Sequence, residues 1–153
     1  MKLLFICTGN ICRSAMAEML AHKIALERHV TLEARSCGIA AESYFEVPAG
    51  VWNALAPLGM SRREHKPQLV ARELLKWCDL ALTMTFQHRE FVIDKYPEFT
   101  RKVHVLRAYA GLKGDDIADP YGRPDPFYVS CRDKIYEALE ALIEHEHAKN
   151  PGS

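Results

Sequence analysis

The chain has 153 residues, the size of one ordinary domain, and 48% of them are hydrophobic, enough for a packed core and too many for a disordered chain. Twenty basic side chains balance twenty acidic ones, which excludes the basic excess of a general nucleic-acid binder. Five cysteines, with only Cys7 and Cys12 close together, fit neither a secreted disulfide framework nor a paired zinc site.

Short apolar runs alternate with helical patterns along the chain. Leu3 to Cys7 (LLFIC) has the continuous apolar character of a strand buried on both faces. Its apolar stretch is too short for a signal peptide or a membrane span, so a soluble cytoplasmic protein is expected. Ser14 is placed to cap a helix from near Ala15, with Met16, Met19, Leu20, Ile24 and Leu26 recurring roughly at helical spacing. Val30 to Ala34 reads as a second strand, ending at Ser36-Cys37-Gly38. Val51 to Leu58 reads as a helix stopped by Gly59. Pro67 to Trp77 is expected to be helical, with its proline in the first turn. Asp79 to Met84 is a third strand, His88 to Tyr96 a helix, and Val103 to Leu106 a fourth strand. A last helix starts near Pro126 and aligns Tyr128, Cys131, Ile135, Leu139 and Leu142 on one face, with the tail fraying from about residue 146. This alternation predicts one α/β domain over residues 1–153. It has three layers, a four-stranded parallel sheet with helices on both faces, and a loop joining the first strand to the first helix.

Ligands in such folds sit at the carboxyl ends of the strands, where CTGNICRS (Cys7 to Ser14) lies. A loop between a strand and a helix N-terminus gathers backbone N–H groups and partial positive charge around one point. Gly9 permits a tight turn and Asn10 tolerates left-handed geometry. The nucleotide pattern G-x-x-x-x-G-K-[ST] is absent. Helix-end amides and a nearby arginine favour the thiolate of Cys7, the reactive form. Arg13 offers a planar fork for two phosphoryl oxygens, and Ser14 can donate to the sulfur. Nucleophile, anion cradle and clamp together suit attack by sulfur on phosphorus.

An ester leaving group also needs a proton. The stretch GDDIADPYGRPDPFY carries Asp115, Asp116, Asp119 and Asp125. Asp125 precedes Pro126 where the last helix begins, which suits a cap. Asp119 lies in a loop free to project over the sheet end, its backbone restrained by Pro120, with Tyr121 beside it to line a cleft. Asp119 is therefore the expected general acid, and then base toward water.

With both segments in view, the chain resembles the low-molecular-weight protein tyrosine phosphatases of bacterial type. CTGNICRS is similar to their phosphate-loop signature, and ADPYG (Ala118 to Gly122) to their acid loop. ARSCG (Ala34 to Gly38), EHKPQ (Glu64 to Gln68) and DLALTM (Asp79 to Met84) resemble further family segments. The resemblance implies Cys7 as nucleophile, Arg13 as clamp and Asp119 as acid. It implies phosphate or substrate contacts from Thr8, Gly9, Asn10, Ile11, Cys12, Ser14 and Tyr121. It also implies that Asn10, Ser36 and His65 bond to one another to hold the loop, and that Cys12 can form a reversible disulfide with Cys7. Gly122 stands where many eukaryotic members carry a second tyrosine, leaving the cleft more open. The loop Glu42 to Phe45 is expected to supply the other wall through Tyr44 or Phe45.

The resemblance implies phosphorylated protein substrates, no metal or organic cofactor, no nucleic-acid partner, no membrane insertion, and a monomer or weak dimer. One branch of the family acts on phosphoarginine and carries threonine where this chain has Ile11, an apolar residue that favours an aromatic ring. Phosphotyrosine is the expected substrate and phosphoarginine the alternative. An arsenate reductase would need two neighbouring relay cysteines, whereas Cys78 stands alone. A non-catalytic phosphate-binding module would lack the nucleophile or the acid.

Overall fold

A computed structural model describes residues 1–114 and 116–149. Asp115, within the acidic stretch singled out above, lies outside the described residues. In chain order the elements are β1 (Lys2–Cys7), α1 (Arg13–Arg28), β2 (Glu33–Gly38), α2 (Ala49–Leu55), α3 (Arg72–Trp77), β3 (Leu80–Thr83), α4 (Phe86–Lys95), β4 (Val103–Val105), α5 (Leu106–Tyr109) and α6 (Asp125–Lys149). Short 3₁₀ turns, Ala56–Leu58 and Pro97–Lys102, follow α2 and α4.

The four strands run parallel in the order β2-β1-β3-β4. β1 is central, and its side chains divide by the strand period of two. Leu3, Phe5 and Cys7 face a core shared with α1, α2 and α6, while Leu4 and Ile6 face a second core with α3 and α4. Both faces are covered, which is why LLFIC shows no polar alternation. Gly50 of α2 lets that helix meet α6 closely, because a Cβ there would lie 2.4 Å from Cδ2 of Tyr128.

Several boundaries differ from the sequence expectations for identifiable reasons. β2 begins at Glu33, not Val30, because Val30 N–H donates to Ala25 O and completes the C-terminus of α1 beside His29, whose φ is 54°. Register with β1 then carries β2 to Gly38 opposite Cys7. Residues 67–71 are extended rather than helical. Gly38 N–H donates to Gln68 O and Val70 N–H to Gly38 O, forming a bridge at Leu69 that prolongs the edge beyond β2. The helix starts only at Arg72. Ser14 is not the cap of α1: Cys12 holds the N-cap position without a side-chain bond, and Ser14 lies inside the helix. Leu26, expected on the apolar face of α1, is 80% exposed. α6 opens with Pro126 in its first turn as expected, but Asp125 is its first helical residue rather than its cap, and Asn53 Nδ2 donates to Asp125 Oδ2 at 3.1 Å. α6 continues through Lys149, past the expected point of fraying, and residues 150–153 lie outside the described residues.

Candidate active site

The carboxyl end of β1 runs into the loop Thr8–Cys12, which returns to the start of α1. Asn10 makes that turn with φ 59°, in the left-handed region that asparagine tolerates. Its side chain is fully buried and bonded at both ends: Nδ2 donates to Ser14 Oγ at 2.9 Å, and Oδ1 accepts from Gln68 N–H at 3.1 Å. His65 Nε2 lies 2.7 Å from the backbone oxygen of Asn10. The turn directly after β2 braces the same loop, through Ile39 N–H to Cys7 O and Ala40 N–H to Thr8 O, each at 2.9 Å. α1 starts at Arg13, so its first-turn N–H groups lack acceptors within the helix and surround the loop centre.

Cys7 Sγ stands 2.9 Å from Ser14 Oγ. Ser14 accepts from Asn10 and has a single proton to give, either to Cys37 O at 3.3 Å or to the sulfur. The hydroxyl expected to cap the helix therefore lies against the cysteine sulfur.

Arg13 is 5% exposed and spans the loop. Nη1 donates to Ile117 O at 3.0 Å and Nη2 to Thr8 Oγ1 at 3.4 Å, while Nη2 lies 3.6 Å from Asp119 Oδ2. Among the described residues Nε is buried with no partner. A buried guanidinium N–H needs an acceptor, and an oxyanion bound in the loop would provide one. Asp119 is half-exposed, and its Oδ1 accepts from Tyr121 N–H at 3.1 Å, which fixes the carboxyl group over the loop.

One cleft of about 230 Å³ is lined by Cys7, Thr8, Gly9, Ile11, Cys12, Arg13, Phe45, Asp119 and Tyr121. The structure thus brings together the sulfur, the guanidinium and the carboxylate named from sequence. The expected aromatic wall from the Glu42–Phe45 loop is Phe45. Tyr44 stacks edge-on against it at 5.1 Å and faces solvent. The expected triangle of Asn10, Ser36 and His65 is not formed. His65 reaches Asn10, but Ser36 Oγ donates to Glu18 Oε1 at 2.9 Å; the backbone N–H of Gln68 donates to Asn10 Oδ1, and the Gln68 side chain donates through Nε2 to Ser36 O. The Ser36 hydroxyl is committed instead to a carboxylate that α1 presents, that of Glu18. Burial, with nearby Asp119 and Cys7 adding to it, pushes the Cys12 thiol up and keeps it protonated.

His88, on α4, belongs to this region although the sequence marked it only as a helix residue. Its Nε2 lies 2.9 Å from Thr8 Oγ1. Thr85 caps α4 at the carboxyl end of β3, and that cap places His88 toward the loop at the end of β1. A threonine three residues before a histidine, directly after a buried strand, was the available signal. Among the described residues no three His, Cys, Asp or Glu side chains gather to hold a metal, and no helix is long and apolar enough to cross a membrane.

A profile of the low molecular weight phosphotyrosine protein phosphatases matches residues 2–151. A protein-arginine-phosphatase of Bacillus subtilis is 32% identical over 144 residues, covering 94% of this chain and 95% of its own. A low molecular weight protein tyrosine phosphatase from T. tengcongensis has a TM-score of 0.90 at 32% identity, over 95% of this chain and 99% of that one. A variant of the arginine phosphatase YwlE with a phosphorylated active-site serine has a TM-score of 0.91 at 31% identity, over 99% of this chain and 98% of that one.

Proposed function

The chain belongs to the low molecular weight phosphotyrosine protein phosphatases, which are cysteine-dependent enzymes, and from that membership we propose that it hydrolyses phosphotyrosine in proteins with Cys7, Arg13 and Asp119 as its catalytic residues. The observation that carries this reading is the shared cleft. It sets a sulfur, a guanidinium with a buried N–H that has no partner among the described residues, and a half-exposed carboxylate beside apolar walls from Ile11, Phe45 and Tyr121. In the first step the Cys7 sulfur attacks phosphorus in line, and the P–O bond to the leaving oxygen breaks. Asp119 protonates that oxygen. Arg13 and the loop amides hold the nonbridging oxygens, and Ser14 donates to the sulfur. In the second step Asp119 takes a proton from water, water attacks phosphorus, and the S–P bond breaks to release phosphate. Thr8, Gly9, Asn10, Ile11, Cys12 and Ser14 form the cradle, Tyr121 stands at the rim, and Asn10 and His65 brace the loop. Residues 1–153 act as one domain, monomeric or weakly dimeric, on phosphorylated proteins in the cytoplasm.

Ile11 favours the tyrosine reading. Its apolar side chain beside the phosphoryl site packs on an aromatic ring and gives a charged guanidino group no partner. The phosphoarginine reading draws on the Bacillus relative's name and on the Asp119 carboxylate, which a guanidino nitrogen could meet. Phosphate release from matched phosphotyrosyl and phosphoarginyl peptides decides between them, with Cys7→Ser as the blank. Faster release from phosphotyrosine, lost in the blank, is expected. Faster release from phosphoarginine would retain the mechanism and overturn the substrate. Release from neither would overturn both.

A further inference from the structure

His88 is paired with the exposed side chain of Thr8, a side-chain contact that the mechanism above leaves unused. His88 is 4% exposed, and its Nε2 lies 2.9 Å from Thr8 Oγ1. Arg13 Nη2 donates to the same oxygen at 3.4 Å. The other ring nitrogen of His88, Nδ1, is buried with no hydrogen-bond partner among the described residues. Both ends of the pair are pinned: Ala40 N–H donates to Thr8 O at 2.9 Å, and His88 N–H donates to Thr85 Oγ1 at 3.1 Å.

The orphaned Nδ1 identifies the tautomer. A neutral imidazole carries one proton, and a buried N–H without an acceptor is harder to tolerate than a buried lone pair without a donor. The proton therefore sits on Nε2 and is donated to Thr8. Burial, reinforced by the charge of Arg13, lowers the His88 pKa to about 4, so the ring is neutral at ordinary pH. Thr8 Oγ1 then accepts two N–H groups and has both lone pairs engaged. Its own proton is left to donate. Among the described residues it has no other side-chain or backbone partner, and Thr8 lines the cleft beside Cys7 and Arg13.

We propose that His88 is a positioning residue: by donating to Thr8 Oγ1 it turns the Thr8 hydroxyl into a donor to a nonbridging oxygen of the bound phosphoryl group. The proposal rests on the phosphatase reading of the cleft. No proton is transferred in it. The hydroxyl supplements the loop amides and Arg13, and His88 removes the hydroxyl's freedom to act as an acceptor.

The test uses an aryl phosphate, para-nitrophenyl phosphate, so that the choice between tyrosine and arginine does not enter. Thr8→Val and His88→Leu should each lower kcat/KM about tenfold, the worth of one hydrogen bond to a charged group. Inhibition by orthovanadate should weaken in parallel. His88→Gln, which keeps a donor near Nε2, should recover most of the loss. The double variant Thr8→Val/His88→Leu should be no worse than either single one, whereas independent structural defects would multiply. In the wild-type protein, ¹⁵N NMR of His88 should show Nε2 protonated between about pH 6 and 8. Protonation on Nδ1, multiplying losses, or unchanged kcat/KM in a folded His88→Leu variant would each overturn the proposal. If His88→Leu does not fold, the NMR signature and Thr8→Val against Thr8→Ser decide, with serine expected to retain activity and valine to lose it. Turnover that survives Cys7→Ser would overturn the phosphatase reading and the proposal together. Normal turnover in Thr8→Val beside an inactive Cys7→Ser would overturn the proposal alone.

Discussion

Gly38 is the residue at which a single added methyl group should damage the phosphate loop most. It ends β2 opposite Cys7, and a Cβ built on it would lie 2.4 Å from Thr8 O, 3.0 Å from Asn10 N and 3.1 Å from the Ala41 Cβ. Ordinary contact begins at 3.4 Å, so the closest approach is about 1 Å too short. The first two obstacles are backbone atoms of the loop itself, braced by Ile39 N–H to Cys7 O and Ala40 N–H to Thr8 O. No side chain can swing aside to absorb the overlap. Gly38→Ala must therefore displace the loop or part β2 from it, at a cost of about 1–3 kcal/mol in stability. A displacement of about 1 Å between nucleophile and bound phosphorus lowers kcat/KM about 10²-fold. The assay is turnover of para-nitrophenyl phosphate together with thermal melting. Gly59→Ala is the control: it has φ 77° and open space around its Cβ position, so it should cost about 1 kcal/mol through backbone strain and leave turnover unchanged. A folded Gly38→Ala protein with wild-type kcat/KM would refute the reasoning.

Asn10→Ala removes two side-chain bonds, leaves Gln68 N–H without its acceptor, and puts alanine at φ 59°, so unfolding free energy should fall by about 2–4 kcal/mol in denaturant titration. Asp119→Asn retains the carboxamide oxygen for Tyr121 N–H but cannot protonate the leaving group. Its kcat for an alkyl phosphate ester should drop about 10²–10⁴-fold, and a smaller drop for activated aryl esters in the same series would place the defect in leaving-group protonation. Burial pushes the thiols of Cys78 and Cys131 up to about 11 and about 12 respectively, and raises Cys12 and Cys37 as well. The folded chain keeps protons that an unfolded chain loses near pH 9, so stability is full below that pH and declines as pH rises above it. Cys131→Ala should flatten that decline between pH 9 and about 11, read from melting temperatures across the range. The lowered pKa of His88 has the opposite sign: the unfolded chain takes up the proton first, so stability is lost as pH falls from 6.5 toward about 4. His88→Gln should make that acid loss shallower in the same melting series.

The parallel sheet was readable because its strands are buried on both faces and each is followed by a helix-forming stretch. The cysteine loop was readable because its residues are consecutive. What the sequence obscured depends on contacts between distant segments. Residues 67–71 carry an acceptable helix start, yet Gly38 and Asn10, from two other segments, draw them into an extended bridge. Val30 has strand propensity, yet α1 uses its N–H to finish. Ser14 looks like a cap in one dimension, and only the return of the loop places Cys7 within 2.9 Å of it. Ser36 is bonded to Glu18, a pairing set by how β2 lies across α1. His88 comes 80 residues after Thr8, and nothing local marks it as that hydroxyl's partner.

α6 has a consequence for how the protein can be handled. At 25 residues it is about 37 Å long, and its first turns share a core with Cys7 and Cys12 through Tyr128 and Cys131. Its last turn lies beside Met1, Val30 and Asp79, at the amino edge of the sheet, where Tyr109 donates to Glu146 at 3.4 Å. One rigid rod therefore joins the two poles of the molecule. A dye, surface linker or fused carrier attached at position 147 or 149 is held a helix length from the cleft, where it leaves large phosphorylated proteins free to approach. Anchoring by that end would give an oriented reagent layer with every cleft facing outward.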